Sequence, residues 1–399
     1  MLKTTPFHAR TSALMQANQW RRWAGYTAAS AYEMTHDREY LAIRNACALI
    51  DISPLCKYEI AGPDALRFLN RLVTRDVSTC QVGGMLYTPW CDSHGKIVDD
   101  GTIARLDAER YRLTSAEPNL RWLEDNALGM DVRIADVSEQ LAALALQGPT
   151  SRALLQSLCD APLSDLPYYG FLNTTIADCP VMISRTGYTG DLGYELWLAA
   201  EPAVAGRVWD ALVAAGRSYG LQPAGIWALD VARIEAGLLL LDVDYVSARK
   251  ALIEPQKSSP LELGLEWTVG FDKPAFVGRE ALVAERERPA EWRFTGVEVA
   301  WEPLEALYTD LGLAPRLPTT AWRTSVPLYA PGSEHQVGYA TSGCWSPLLK
   351  RYLTLAHLEA PYAEPGRELD MEVTVEHRRK RARANVCALP FFNPGRKRA

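Results

Sequence analysis

The sequence has no apolar run approaching the ~20 residues that span a bilayer, and Met1–Gln19 lacks the apolar centre of a signal peptide. A cytoplasmic chain with no membrane partner is expected. Its eight cysteines (Cys47, Cys56, Cys80, Cys91, Cys159, Cys179, Cys344 and Cys387) form no C-x-x-C pair. Cys91 and His94 stand at a metal-like spacing, but no second pair completes four ligands, so neither a disulfide framework nor a metal site is expected. Positive charge is also short: 42 Lys and Arg against 48 Asp and Glu leave a net charge of −6 and a pI near 5.7. Affinity for a phosphate backbone comes mostly from Lys and Arg, which argues against a nucleic-acid partner. No G-x-G-x-x-G follows a strand, and there is neither a P-loop nor a G-x-S-x-G elbow, which removes the usual support for dehydrogenases, NTPases and α/β-hydrolases.

What is present is a globular composition, 48% hydrophobic and 23% charged over 399 residues, enough for two or three domains. From Asp37 to Gly270 short alternating strands mix with amphipathic helices. Lys57–Ile60 reads as a strand, Pro63-Asp64 begins a helix with Leu66, Leu69 and Val73 on one side, and Lys96–Ala104 and Tyr111–Ser115 read as neighbouring strands. A helix is expected after Ala200, with Val204, Val208, Leu212 and Val213 inward. This order is an α+β signature. After the charged run Glu285–Arg293 the pattern changes to strands and turns: Phe294–Val299, Val337–Ser342, Leu353–His357, Glu368–Val375 and Arg383–Ala388, a small β-barrel or jelly roll. The boundary gives a region 1–287 and a C-terminal domain 288–399. Trp301–Thr320 is expected to be a loop with one short helix. The basic clusters Arg378–Arg381 and Arg396–Arg398 read as a solvated face and a frayed tail.

Three segments have residue types suited to chemistry, each with a plainer alternative. In GKIVDDGTI, Gly95 to Ile103, strand alternation sends Asp99 and Asp100 to opposite faces, so one must enter the interior or a cleft; alternatively both lie in water at a strand end. In RTGYTGDLGYELW, Arg185 to Trp197, Gly187, Gly190 and Gly193 make a turn that lets a flat ligand approach backbone, and Glu195 follows where a carboxylate can accept two parallel N–H bonds. An ordinary hairpin with an exposed Glu is the alternative. In Gly225–Tyr245, Asp230 and Arg233 are three apart on a helix and can pair, which by itself describes a surface ion pair worth ~0.5 kcal/mol.

Taken together with LIDISPLCKYEIAGPDA, YRLTSAEPN, LALQGP, FVGREAL and VGYATSGCWSPLLK, these segments occur in the order and approximate spacing of the aminomethyltransferase (glycine cleavage T-protein) family, which the chain resembles from about Tyr32 to Pro390. The resemblance implies a three-domain cloverleaf: two intertwined α+β domains forming a folate-binding region, closed by a C-terminal β-barrel, with tetrahydrofolate in a central channel. It places the catalytic aspartate at Asp99, the pterin-anchoring glutamate at Glu195, a folate-contacting tyrosine at Tyr111 and the arginine of the L-R-L-E-A-G motif at Arg233 beside Glu235. Tyr188, in the glycine turn, joins the cofactor-binding candidates.

The chain departs from the family on the side of the second substrate. D-V-S-H-M is replaced by DISPL, with Pro54 and Leu55 at the histidine and methionine positions, and Leu229 replaces the arginine of A-R-D. A segment after Asp244 brings Arg249, Lys250 and Lys257, and aromatics concentrate at Trp20, Trp23, Tyr26, Tyr32, Tyr87 and Trp90. Solvated loops and core packing are the plain readings. The functional one gives a donor pocket in which Trp23, Tyr26 and Tyr32 wall a small methylated compound and Arg249 or Lys257 holds its carboxylate. The expected activity is therefore transfer of a methyl or methylene group from such a donor to tetrahydrofolate, as a demethylase-like member of the family would do. The alternatives are an aminomethyl-lipoyl carrier protein as donor, a non-catalytic folate-binding protein, or a hydroxymethyl transfer.

Overall fold

A computed structural model describes residues 2–398, so the expected outer limits at Met1 and Ala399 lie outside the described residues. The described residues form a two-stranded hairpin (Gln19–Trp23 with Tyr26–Ala31), two larger sheets and a closed barrel. The first sheet is antiparallel, in the order Met85–Cys91, Ile97–Arg105, Arg110–Ser115, Cys56–Ala61, Arg133–Asp136. The helices Ala65–Leu72 and Leu120–Asn126 contribute Phe68, Leu69, Leu72 and Leu123 to its core, beside Tyr58, Ile60, Trp90 and Leu113.

The second sheet runs Phe171–Ile176, Cys179–Ser184, Gly193–Ala199, Leu141–Gln147, Cys47–Asp51, Leu221–Pro223, with only the last pair parallel. Leu141–Gln147 shows why it is covered on both faces. Its sequence LAALALQ has no polar residue before Gln147, and with a period of two Ala142, Leu144 and Leu146 join one core while Ala143 and Ala145 join another. The helix Pro202–Gly216 closes the first of these cores with Val208, Trp209 and Leu212; Val213 is half-buried. The helix Ile226–Glu235 closes the second, nine of its ten residues being buried. Because Cys47–Asp51 pairs into the second sheet before the chain builds the first, the two α+β units interleave.

The barrel closes through Trp292–Val299, Arg351–Glu359, Gln336–Ser346, Val326–Tyr329, Glu368–Val375 and Arg378–Cys387. Five of these strands match expectation. Val326–Tyr329 does not, because it is four residues long and contains Pro327, which weakens any strand pattern. Trp301–Thr309 is the one helix expected between the first barrel strands. The tail is not frayed: Arg396 ion-pairs with Asp191 at 2.7 Å, and the Phe392 N–H donates to the Glu235 carbonyl at 2.8 Å. Among the described residues no helix is long and apolar enough to cross a membrane.

Candidate active site between the two sheets and the barrel

The glycine turn is built around one side chain, Gln147. A Cβ on Gly187 or Gly193 would lie 2.0 or 2.2 Å from the Gln147 Oε1. That amide donates to the carbonyls of Thr186 and Tyr194 and accepts from the Thr189 hydroxyl. Gly190, with φ at +72°, leaves room for the Ala236 methyl, which an added Cβ would meet at 2.4 Å. The three glycines therefore serve packing, a role the sequence did not reveal, and they lock three motifs (LALQGP, RTGYTGDLGYEL and ARIEAG) into one unit.

That unit fixes Glu195. The Thr186 hydroxyl, itself 2.8 Å from the Ser184 hydroxyl, donates to Glu195 Oε2 at 2.7 Å, while Oε1 has no protein donor among the described residues. Glu195 is only half-buried, yet burial raises its pKa and the Thr186 bond partly opposes the rise. It therefore lines an interior space instead of a solvated hairpin.

On the first sheet, a bulge at Val98 separates the pairings Trp90–Asp99 and Cys91–Ile97. Asp99 is 1% exposed. Its Oδ1 accepts from the Asp100 amide at 2.8 Å and its Oδ2 from Asn119 Nδ2 at 2.6 Å. Asp100 points the other way, accepts from the Tyr245 hydroxyl and faces that of Tyr87. Both acids are thus inside the protein, against the solvated alternative. Burial and then the Asp100 charge push the Asp99 pKa well above the usual carboxylate range; burial also raises that of Asp100, and the two tyrosines oppose it.

The Glu195 site connects to Asp100, whereas the Asp99 carboxylate points to the opposite side, beside Asn119. Tyr169, whose pKa is raised by burial and by the nearby Tyr168 and Glu195, is within electrostatic reach of Tyr87 beside Asp100. Tyr188 donates its hydroxyl to the Leu239 carbonyl and lies near Arg233 and Asp100. At the rim, exposed Trp267 stacks on Tyr87 at 6.1 Å with Arg75 5.3 Å over its ring.

Arg233 is fully buried, so its pairing is not a surface one. Its Nη1 donates to Asp244, while Nε and Nη2 lack a hydrogen-bond partner. Asp230, 3.6 Å from Nε, is held instead by a bidentate Arg323 at 2.7–3.0 Å, a barrel residue, with Arg21 at 3.8 Å. Asp244 also accepts from Thr341 and Ser342 of the barrel and from the Leu240 amide. On the barrel side of this segment Val243, Tyr245, Pro327, Tyr339 and His357 line a cleft of about 410 Å³.

Tyr188 lies near Arg233 and Asp100, Glu195 connects to Asp100 through Tyr169 and Tyr87, and the other candidates sit on other segments, with Trp23 packed on the same core as Tyr188. Tyr111 is sealed in the first sheet's core beneath Arg105, four residues along its strand from Ser115, which pairs next to the acids. Trp23 and Tyr26 belong to the hairpin Gln19–Trp23/Tyr26–Ala31, and Tyr32 follows its second strand; Tyr32 lines a small crevice with Trp20 and Asp51, and Lys3 covers Tyr26. Arg249 is exposed over Trp122, and Lys257 is paired with Glu254 at 2.5 Å. Reading the sequence missed Asn119, Tyr169, Asp244, Tyr245 and Trp267. Asn119 ends the YRLTSAEPN segment and was the most findable.

The profile described as the GCVT N-terminal domain matches residues 5–273, and that of the glycine cleavage T-protein C-terminal barrel domain matches 312–393. The chain belongs to the aminomethyltransferase (glycine cleavage T-protein) family. An aminomethyltransferase of Halothermothrix orenii is 33% identical over 358 residues, covering 89% of this chain and 90% of that protein. One of Bacillus cytotoxicus is 34% identical over 360 residues, covering 89% of each. The crystal structure of the glycine cleavage system aminomethyltransferase T from Bartonella henselae superposes with a TM-score of 0.82 over 98% of this chain and 99% of that one, at 23% identity, which shows the shared fold. Family membership makes the chain a transferase.

Proposed function

We propose that the chain moves a one-carbon unit from an aminomethyl group, borne on the lipoyl arm of a carrier protein, to tetrahydrofolate held between the two sheets and the barrel. The observation behind this reading is the half-open carboxylate of Glu195 sharing tyrosine neighbours with Asp100, whose chain neighbour Asp99 is enclosed with Asn119. Tetrahydrofolate suits these residues: Glu195 Oε1 has no protein donor, Arg233 has buried donors without a partner, and Tyr87, Tyr169 and Tyr188 offer flat walls.

When bound, it supplies a nucleophilic amine. Glu195 would accept N–H groups of the ring edge and fix its orientation, turning an encounter into a positioned approach. Asp99, with its raised pKa, can hold or release a proton nearer neutrality than an ordinary carboxyl, and Asn119 fixes its Oδ2. The Arg75–Trp267–Tyr87 stack at the rim suits an aromatic and anionic substituent.

A small carboxylated donor loses support because Arg249 and Lys257, the cations expected to hold it, are engaged on outer segments. The discriminating experiment supplies tetrahydrofolate with either an aminomethylated lipoyl carrier protein or a panel of methylated metabolites, and measures folate products by mass spectrometry together with ammonia. Methylene-folate and ammonia that require the carrier are expected; methyl-folate formed from a small donor without carrier would overturn the choice of donor.

A further inference from the structure

We infer that Tyr245 is a positioning residue for the acid pair: its hydroxyl, delivered from a segment pinned to the barrel, holds Asp100 as the anion that leaves the proton with Asp99. The inference rests on the proposed role of Asp99.

The pinning is done by the preceding residue. Asp244 Oδ1 accepts from Thr341 at 2.6 Å and Ser342 at 2.8 Å, Oδ2 accepts from the Leu240 amide and from Arg233, and its carbonyl lies 2.6 Å from His357 Nε2. Burial lowers that imidazole's pKa, and the bond to the Asp244 carbonyl partly opposes the shift. Two barrel strands and the helix Ile226–Glu235 therefore fix the backbone from which Tyr245 projects. The Tyr245 carbonyl accepts from the Asp242 amide at 2.8 Å, and its ring, 3% exposed, packs in a core with Leu239, Leu241 and Leu263. Neither end can turn, so the hydroxyl stays on Asp100. Burial and the Asp100 charge keep this phenol protonated, a permanent donor.

The two acids differ in what surrounds them. Asp100 faces two hydroxyl donors, Tyr245 and Tyr87. Asp99 has two N–H donors, but its ionisation is opposed by Asp100 and by Glu117, which Lys250 partly neutralises at 3.2 Å. Tyr188, from the glycine turn, is the remaining titratable neighbour of Asp100. With like charges this close, one acid ionises first and the other retains its proton; the hydroxyls select Asp100 as the first. Barrel position and proton position are thereby joined through one side chain, and a buried hydroxyl on a carboxylate gives a bond strong enough to make that selection.

The test is Tyr245→Phe, which removes one oxygen and keeps the ring. Carboxyl ¹³C NMR of aspartate-labelled protein should show the pair losing its first proton at higher pH than wild type, by about one unit, because the Asp100 anion has lost a donor. Turnover should fall about tenfold with the KM for tetrahydrofolate within about twofold. Tyr87→Phe should move the titration in the same direction, which keeps the idea testable if Tyr245→Phe folds poorly. A pair that titrates as in wild type in both variants overturns the inference. An Asp99→Asn variant separates the two ideas: full turnover there removes Asp99 from the mechanism and this inference with it, whereas lost turnover with an unmoved Tyr245→Phe titration overturns only the role of Tyr245.

Discussion

Glu235 and Glu195 are both interior carboxylates carried by family motifs, and they are finished differently. Glu235 Oε1 accepts from the Tyr40 and Ser346 hydroxyls, each at 2.5 Å, and Oε2 accepts from Nε and Nη2 of Arg44, at 2.8 and 2.6 Å. These donors come from the helix Asp37–Asn45 and the barrel strand Gln336–Ser346, so Glu235 ties them to its own helix. They fill the roughly four lone-pair sites of a carboxylate. Glu195 accepts one hydroxyl and keeps an oxygen without a protein donor. The acid pair is intermediate, with one donor on each oxygen of Asp99. A completed buried charge holds the fold together, whereas an incomplete one is available to a ligand; burial alone does not separate the two.

If that distinction is right, the largest effect belongs to Glu235→Ala. Removing it leaves the buried Arg44 guanidinium with only the longer contact to Asp191 at 3.5 Å as a counter-charge, and denaturant unfolding should show a loss of about 3–5 kcal/mol. An unchanged unfolding midpoint would show that the clasp is not structural. Glu195→Ala should leave unfolding nearly unaltered and instead weaken tetrahydrofolate binding by about 1.5–3 kcal/mol in calorimetry. Equal affinity would remove Glu195 from the site. The smallest effect concerns pH. Because the folded-state pKa of Asp99 is raised, its favourable contribution is fully present below the ordinary carboxylate range, about pH 4, and is lost as pH rises through the folded value. Asp99→Asn should therefore flatten part of the fall in unfolding free energy with rising pH. A variant curve parallel to wild type throughout would contradict the assigned shift.

Much of the fold was legible because its signals are local. The strand Leu141–Gln147 has uninterrupted apolar periodicity, and the barrel strand Glu368–Val375 was placed to the residue. Within the candidate site, Asp99, Glu195 and Arg233 can be singled out from sequence because each sits in a motif that spacing ties to the others. The meaning of the glycines was not, since a Cβ contact with Gln147 depends on a residue 40 or more positions away in sequence. Tyr245 and Asp244 were hidden for the same reason: the donors and acceptors that define them, Asp100, Thr341 and Ser342, come from distant elements. The donor-side cations have other neighbours in the structure. Composition showed Arg249 and Lys257 in an unusual segment, but a neighbouring Glu254 and an exposed edge absorb them. The substitution of Leu229 in the family's A-R-D motif has a visible counterpart, Arg323, which reaches Asp230 from the barrel.

The most direct test of the central claim is a single-turnover experiment on Asp99→Asn, saturated with tetrahydrofolate and mixed with the aminomethylated carrier protein. The variant should bind tetrahydrofolate as wild type does and form methylene-folate at least about a hundredfold more slowly. Product appearing at the wild-type rate would contradict the account.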